Sequence, residues 1–562
     1  MQYRLCQTLS LFLVVAIIPS IIFAAPVIPP SAAPGRVEQN LQNEPERPEV
    51  GGQSFITIPE ESLQKSAPAQ GLHFKLTRIV IENATVFPTS EFEPYYKEYI
   101  GTYVSLISLN KIADRITVRY RNAGYILSRA IVPPQRIVDG VVTLRVVEGA
   151  VGKVLFEGAP VTSRLLSEYA EKIRAAKPLD EQTLERYLLL IGDLPGLKAQ
   201  AVLRPSETTP GASDVVITLA QKTIDGSITA DNRGTRYLGP YQGGNTTNIN
   251  NALGLYDRTQ LHIVTTAEPN EEKFGQISHE EQLDGDGTKL LISAGRTRTN
   301  PGYKLKDLDI EGTDTTFAAD ISHPFIRSRR SNLYGDVDFD VRNTDTDSLG
   351  FPLNGDRLRV ARIGGSYDFI DDLQAINKLQ TQISRGFGWF DDSAPDTRSN
   401  THGQTSFYKV TAMGSRQQPI SGPFGLFVSA TGQIASDSLL SAEQFGLGGP
   451  NFGSAYDPSE ITGDSGIAAR AELQFTQATS SGFPYQFYGF YDIGEVWSRF
   501  AAAGSKSEQS LASTGIGTRF SILEPLSATL ELAVPMTKPV EADNVNGNGN
   551  VPRVFFSLAY LY

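Results

Sequence analysis

The sequence predicts an antiparallel, membrane-spanning β-barrel of about 16 strands preceded by two small α+β modules. Three observations predict it. From residue 223 onward, strand-length segments alternate apolar and polar residues, with Gly- and Asp-rich connections and no convincing helix. Ahead of that zone, one order of elements (strand–helix–helix–strand–strand) occurs twice, with a repeat of roughly 75 residues. Beyond an export leader, no apolar run is long enough for a spanning helix, so a membrane crossing requires a closed barrel.

The leader occupies residues 1–25. Arg4 supplies its positive end, Leu9 to Phe23 is almost wholly apolar, and Ala24–Ala25 offers small residues for cleavage. Cys6 lies before the apolar run, too early to anchor a lipid, and it is the one cysteine of the 562 residues. The processed chain therefore has neither disulfides nor thiolate metal sites, as suits a Gram-negative envelope protein. A formal charge of −12 argues against a nucleic-acid partner.

Residues 26–71 are rich in Pro, Ala, Gln and Glu and read as a tether that cannot bury a core. Within it, "GRVEQNLQ" is compatible with a short helix near 35–43, either a plug or part of a passive linker.

Residues 72–149 form the first predicted module. "FKLTRIVIEN" alternates as a strand, and "TSEFEPYYKEYIG" reads as a helix capped by Thr89 or Ser90. Leu109, Ile112, Ile116 and Tyr120 recur at helical spacing up to Gly124, and "ILSRAIVPP" and "GVVTLRVVEG" follow as strands. Residues 150–222 repeat the order: "GKVLFEG", then the helices "TSRLLSEYAEKIRAA" and "DEQTLERYLLLIGDLPG", then "LKAQAVLRPSE" and "SDVVITLAQK".

The barrel zone is 223–562. In "LYGDVDFDV", Leu333, Gly335, Val337, Phe339 and Val341 oppose Tyr334, Asp336, Asp338 and Asp340. In "IAARAELQF", Ile467, Ala469, Ala471, Leu473 and Phe475 oppose Arg470, Glu472 and Gln474. Strand alternation likewise puts Tyr488, Phe490, Asp492 and Gly494 on one face, which makes Asp492 lumenal. The last strand, "VFFSLAYLY", places Val554, Phe556, Leu558, Tyr560 and Tyr562 towards lipid.

One segment interrupts this pattern: "GLGGPNFGSAYDPSEITGDSG", residues 446–466. Its "GDSG" also surrounds the nucleophile of trypsin-like proteases, but His73, His262, His279, His323 and His402 are scattered and none completes a triad. A phosphate loop needs a lysine, and the segment has none. Asp457, Glu460 and Asp464 lack the ligand spacing of a calcium loop. No catalytic, metal or cofactor site is expected.

Together these features resemble the two-partner secretion transporters, the ShlB/FhaC/HecB family within the Omp85 superfamily. "YRNAGYILSRAIVPPQRIVDGVVTLRVVEG" (120–149), "LERYLLLIGDLPG" (184–196), "GASD" (211–214) and "ITADNRGTRYLGPYQ" (228–242) carry the resemblance, in the family's order. The resemblance implies that the modules are periplasmic POTRA domains and that 446–466 is a loop folded into an outer-membrane barrel. Gly448, Gly449, Gly463 and Asp464 are its flanks. Gly453, Ser454, Ala455 and Tyr456 fall on the family's Val-Arg-Gly-Phe/Tyr type motif, followed by Asp457.

Ser454 thus stands where the family has an arginine, whose acidic wall partner is matched here by Asp492. Serine offers only neutral hydrogen bonds, so the loop is expected to dock through Tyr456 and backbone contacts, less firmly. Ser454→Arg is expected to preserve or increase rigidity. Arg470 and Glu472 read either as wetted lumen lining or as groups that redistribute the charge.

The resemblance also implies a large secreted partner, an adhesin- or haemolysin-like exoprotein. Outer-membrane lipid and, during biogenesis, the barrel assembly machinery are the other partners. On the modules, Tyr125, Glu148, Gly149, Leu184, Arg186, Leu188 and Asp193 are candidates, with packing and turn geometry the first reading for the leucines and Gly149. A barrel-assembly factor and a passive porin are the alternative functions.

Overall fold

The computed structural model describes residues 28–42, 56–57, 73–158, 163–209, 212–389, 391, 395–477, 484–500, 506–523, 525–537 and 551–562. The segment expected as a leader (1–25) and most of the expected tether (26–71) lie outside the described residues. Within the tether, helix α1 spans Pro34–Gln42, with proline at its start where a missing N–H costs nothing, and β1 is the two-residue strand Ile56–Thr57.

The first module contains β2 (His73–Lys75), β3 (Arg78–Glu82), α2 (Glu93–Tyr96), β4 (Tyr103–Ser105), α3 (Leu106–Asn122), β5 (Arg129–Ile131) and β6 (Val141–Val147). β3 and β5 flank β6, and β2 pairs with β4. Ser105 caps α3 by accepting the Ser108 N–H. The helix buries Leu109, Ile112, Ala113, Ile116 and Tyr120, one stripe at helical spacing, against Leu76, Phe92, Val142 and Leu144. Each large aliphatic in that stripe contributes roughly 1.5–3 kcal/mol.

The expected helix at 89–101 is broken. A 3-10 turn at Thr89–Phe92, α2 and a second 3-10 turn at Lys97–Tyr99 replace it, and neither Thr89 nor Ser90 caps. Pro94 has no N–H to give an α-helical bond, and the segment instead wraps around the fully buried Phe92.

The second module contains β7 (Val151–Glu157), α4 (Arg164–Ala175), α5 (Glu181–Gly192), β8 (Leu197–Pro205) and β9 (Ser213–Gln221). Asp180 caps α5 by accepting the Thr183 N–H at 2.8 Å. The sheet order is β1-β8-β9-β7, with β1 parallel to β8 through Ile56–Ala201 and Thr57–Val202. The tether has therefore added a strand to an open sheet edge.

Among the described residues, sixteen strands close a barrel. They are β10 (Ile224–Asp231), β11 (Gln242–Asn250), β12 (Arg258–Thr266), β13 (Glu272–Gln282), β14 (Lys289–Thr299), β15 (Ile310–Arg327), β16 (Ser331–Ser348), β17 (Phe351–Ile370), β18 (Ile376–Gly386), β19 (Tyr408–Ser421) and β20 (Phe424–Ala435), then five more. Two short strands, β21 (Phe445–Leu447) and β22 (Ile461–Gly463), pair with each other in between, outside the barrel ladder. The wall resumes with β23 (Ser465–Gln477), β24 (Tyr485–Trp497), β25 (Glu508–Leu523), β26 (Leu526–Pro535) and β27 (Arg553–Leu561). β27 closes on β10. Val337, Ile363, Ile467, Leu473, Phe487, Ile516 and Val554 are exposed on the outside, whereas Asp340, Arg470, Glu472, Gln474 and Asp492 are buried inside. Two-residue periodicity sorts them.

The second module is clasped to one end of the barrel. Tyr256, from the β11–β12 turn, packs in the module's own core. Asp193 receives Arg327 in a bidentate pair, both contacts 2.7 Å, and Glu185 receives Arg329 at 2.6 Å.

Candidate functional site

The site is built from the segment between β20 and β23, which leaves the barrel end away from the modules and turns back into the lumen. Gly448 and Gly453 make that return possible. Their φ angles are +115° and +89°, and a Cβ would lie 2.0 Å from the Asp457 carbonyl oxygen at Gly448 and 2.5 Å from Leu511 at Gly453. Gly449 continues the turn and donates its N–H to the Tyr456 carbonyl region at 3.1 Å. At the root, Gly463 ends β22, and Asp464 accepts the N–H groups of Leu439 and Arg499 at 2.7 and 2.8 Å.

The tip is fully inside the wall. Ser454 and Ala455 are 0% exposed. Tyr456 packs with Leu447, Leu511, Ala533 and Phe555, donates to the Ala512 carbonyl at 3.3 Å and lies 2.7 Å from Thr537 Oγ1.

Ser454 and Asp492 do meet, through the backbone: Asp492 Oδ2 accepts the N–H of Ser454 at 2.9 Å and of Gly453 at 3.2 Å, and the Ser513 hydroxyl at 3.0 Å. The cation comes from the wall. Arg470 on β23 is the register partner of Asp492 on β24, and its Nη1 donates to Asp492 Oδ1 at 2.9 Å. The same nitrogen donates to Ser454 Oγ at 2.5 Å. Arg470 also pairs with Glu472 at 2.9 Å, stands 3.6 Å from Glu531 and covers the Phe490 ring at 4.2 Å. Arg519 adds a second cation to Glu472 at 3.1 Å. With Arg470 and Glu472 both under 5% exposed, wetted lining does not describe them. In a low-dielectric wall these groups are tolerable only because each charge is paired and hydrogen-bonded.

Beyond the tip, Asp457 Oδ1 receives Arg553 at 2.7 Å and its Oδ2 receives the Arg236 N–H at 3.1 Å. Arg553 also donates to the Ala455 carbonyl at 2.9 Å, and Arg233 to the Ser454 carbonyl at 3.1 Å. No residue of this set outside the loop was singled out by sequence except Arg470, Glu472 and Asp492. For Arg519, Glu531 and Arg553 the available signal is inward parity on β25, β26 and β27.

Helix α1 lies in the same lumen. Arg36 donates to the carbonyls of Ser441 and Gln444 at 2.7 and 3.0 Å, and Gln39 donates to that of Ala442. Ser459 donates to Asn40 at 2.7 Å. On its other side, Arg342 of β16 holds Glu38 at 2.5 Å and the Gly35 carbonyl at 2.6 Å. The turn that receives Arg36 is itself anchored to the wall, since Glu443 pairs with Lys409 at 2.5 Å and Arg362 at 2.7 Å. Helix and loop thus share one support.

The candidate residues on the modules fall in three other places. Glu148 accepts from Tyr120 at 2.8 Å and from the N–H groups of Thr85 and Val86 at 2.7 and 3.0 Å, with Tyr125 edge-on to Tyr120. Gly149 joins the modules, where a Cβ would meet Leu127 at 2.4 Å. Leu184 and Leu188 are core residues of the second module. Arg186 and Asp193 face the barrel: Arg186 donates to the carbonyls of Pro324 and Asp286 at 2.9 and 3.1 Å, beside the Asp193–Arg327 pair.

A family model described as haemolysin secretion/activation protein ShlB/FhaC/HecB matches residues 211–520. The chain belongs to the ShlB/FhaC/HecB family. A second model, POTRA domain of ShlB type, matches residues 74–149. The chain is 25% identical over 481 residues to the heme/hemopexin transporter protein HuxB of Haemophilus influenzae, covering 83% of this chain and 84% of that protein. It is 23% identical over 450 residues to the outer membrane transporter CdiB of Escherichia coli O6:K15:H31, covering 77% and 74%. The solved structure of CdiB from Escherichia coli superposes with a TM-score of 0.70 at 21% identity, over 89% of this chain and 92% of that one.

As a ShlB/FhaC/HecB member, the chain is an outer-membrane transporter with its POTRA domains in the periplasm. The family is one of transporters, not enzymes. The clasped end of the barrel is therefore periplasmic, and the loop enters from the extracellular end.

Proposed function

We propose that this chain exports one large partner protein from the periplasm to the cell surface, capturing it unfolded on the POTRA domains and guiding it through the barrel without ATP. The observation that carries this reading is the lumen itself. It is filled by α1 and by the 446–466 loop, both held by hydrogen bonds and ion pairs to the wall and to each other. Polar contacts of this kind can be exchanged for those of another chain as it passes. A barrel of this strand number leaves an aqueous channel, wide enough for an extended chain and far too narrow for a folded domain.

Capture follows from strand addition. The tether's β1 already lies parallel on the β8 edge, so that edge accepts an extended segment through main-chain bonds. An amino-terminal segment of the partner would bind by the same chemistry, with side-chain pockets giving selectivity. Energy for directionality comes from folding of the partner outside. Relatives carry names such as heme/hemopexin transporter and hemolysin transporter, which suit adhesin- or haemolysin-like exoproteins as cargo.

The test is secretion of a long exoprotein co-expressed with this transporter as its candidate partner. Deleting 73–221 removes both POTRA domains and with them the β8 edge. Secretion should be lost while a heat-modifiable, conducting barrel persists. Undiminished secretion would contradict capture by the POTRA domains.

A further inference from the structure

Beneath the docked loop tip lies a shelf of arginines that the ion pair at Asp492 does not use. Arg233 follows β10 and Arg553 opens β27, so the shelf sits where the first and last strands meet. Arg233 donates to the Ser454 carbonyl and Arg553 to the next one, that of Ala455, at 3.1 and 2.9 Å. Two positions on, the Asp457 carboxylate takes Arg553 on one oxygen at 2.7 Å and the Arg236 N–H on the other at 3.1 Å, with the Arg236 side chain 3.9 Å away. Both guanidinium groups lie against Phe555, at 3.9 and 4.9 Å from its ring centre. That ring fixes their planes in advance.

What the shelf recognises is almost free of sequence: two successive backbone carbonyls, then one carboxylate. The Tyr456 N–H closes a turn on the Gly453 carbonyl at 2.9 Å, which points the two carbonyls the same way. Any chain that makes such a turn offers them, and an Asp or Glu supplies the rest. The anions also divide unequally. Arg233 also pairs with Glu531 at 2.7 Å, and Glu531 belongs to the wall strand β26 and not to the loop. Among the described residues, the ion pair of Arg553 is with Asp457, which leaves with the loop. Withdrawal of the loop therefore uncovers a guanidinium without its carboxylate in the lumen, open to a carboxylate of another chain.

We propose that Arg233, Arg236 and Arg553 form a chain-binding shelf that loop residues 454–457 occupy at rest and a turn-forming acidic segment of the exported partner occupies in transit. The loop is then a built-in stand-in for cargo. This inference rests on the export reading, and its test is chosen to be read without any partner.

The probe is an acetylated, amidated hexapeptide with the sequence of Gly453–Pro458, added to full-length protein in planar bilayers. Asp457→Asn weakens the loop's own hold, so this variant should open more often than wild type. The hexapeptide should shorten those openings, and the same peptide with Asn for Asp should be weaker by roughly tenfold, the value of one charge-assisted contact. Adding Arg553→Gln to Asp457→Asn should abolish the difference between the peptides, while Arg553→Lys should keep part of it and guard against a folding defect. Equal block by both peptides, or discrimination that survives Arg553→Gln, overturns the shelf. Secretion by the wild type is a separate readout. If it fails while peptide discrimination stands, the export reading is at fault and not the shelf.

Discussion

Arg470→Ala would leave Asp492 buried with hydrogen bonds alone and would strip one cation from Glu472 and Glu531. Breaking a buried pair in this way costs about 3–5 kcal/mol. It should appear as a lower denaturant midpoint for loss of the heat-modifiable barrel. Ser454→Arg has the opposite expectation from the one its sequence position raises. Position 454 is 0% exposed and already receives Arg470 at 2.5 Å, so a second guanidinium would be crowded against the first. The single variant should be destabilised, and Ser454→Arg combined with Arg470→Ser should recover most of the loss, as measured by the same midpoint. In the first POTRA domain, burial pushes the Glu148 carboxyl up, but hydrogen bonds from Thr85, Val86 and Tyr120 outweigh it and the pKa is lowered. A lowered folded-state pKa stabilises above the ordinary carboxylate range and is lost as pH falls through the folded value. Acidification should thus loosen α3, read as hydrogen exchange corrected for intrinsic rates, and Glu148→Gln should flatten that dependence. Alternation made Arg470 and Asp492 legible as inward residues. Their pairing was not, because it depends on the register of β23 against β24, which residue types alone do not set.

At the scale of elements, periodicity made most of the helices and strands readable. The stripe of α3 buries what its spacing says, whereas α5 is buried on every side from Tyr187 to Ile191. The 89–101 segment departs from its expected helix because one internal proline outweighs an acidic first turn. Contacts between elements were largely invisible. Arg186 and Asp193 look like solvated residues near a helix end until the barrel turns are brought against them, and Arg36 is one charge in a polar tether until it meets two loop carbonyls. Asp193→Ala should cost about 1–3 kcal/mol by leaving Arg327 without its carboxylate. A double-mutant cycle with Arg327→Ala should give a coupling in the range of 0.5–3 kcal/mol, about what adjacent charged groups show. Exchange in the 328–331 turn is the readout, since that turn is held to the second POTRA domain by the same set of pairs.

The whole molecule joins three things: a closed barrel, a helix and a loop that fill it together, and a chain segment that runs from the helix to the β8 sheet edge outside. Export then requires α1 to separate from the loop's turn at 441–444. The chain offers a direct way to forbid that separation. Its one cysteine is Cys6, in the segment expected to be removed as a leader, and Cys6→Ser in the test variants leaves two introduced cysteines only each other. A Cβ at Gly35 would stand 3.4 Å from the Cβ of Ala442, close to the 3.5–4.5 Å of a disulfide. Gly35→Cys paired with Ala442→Cys should lock helix to loop under oxidising conditions. Partner secretion by the locked transporter should be lost and should return on reduction, with each single variant secreting normally. Undiminished secretion while the bridge is intact would contradict the account.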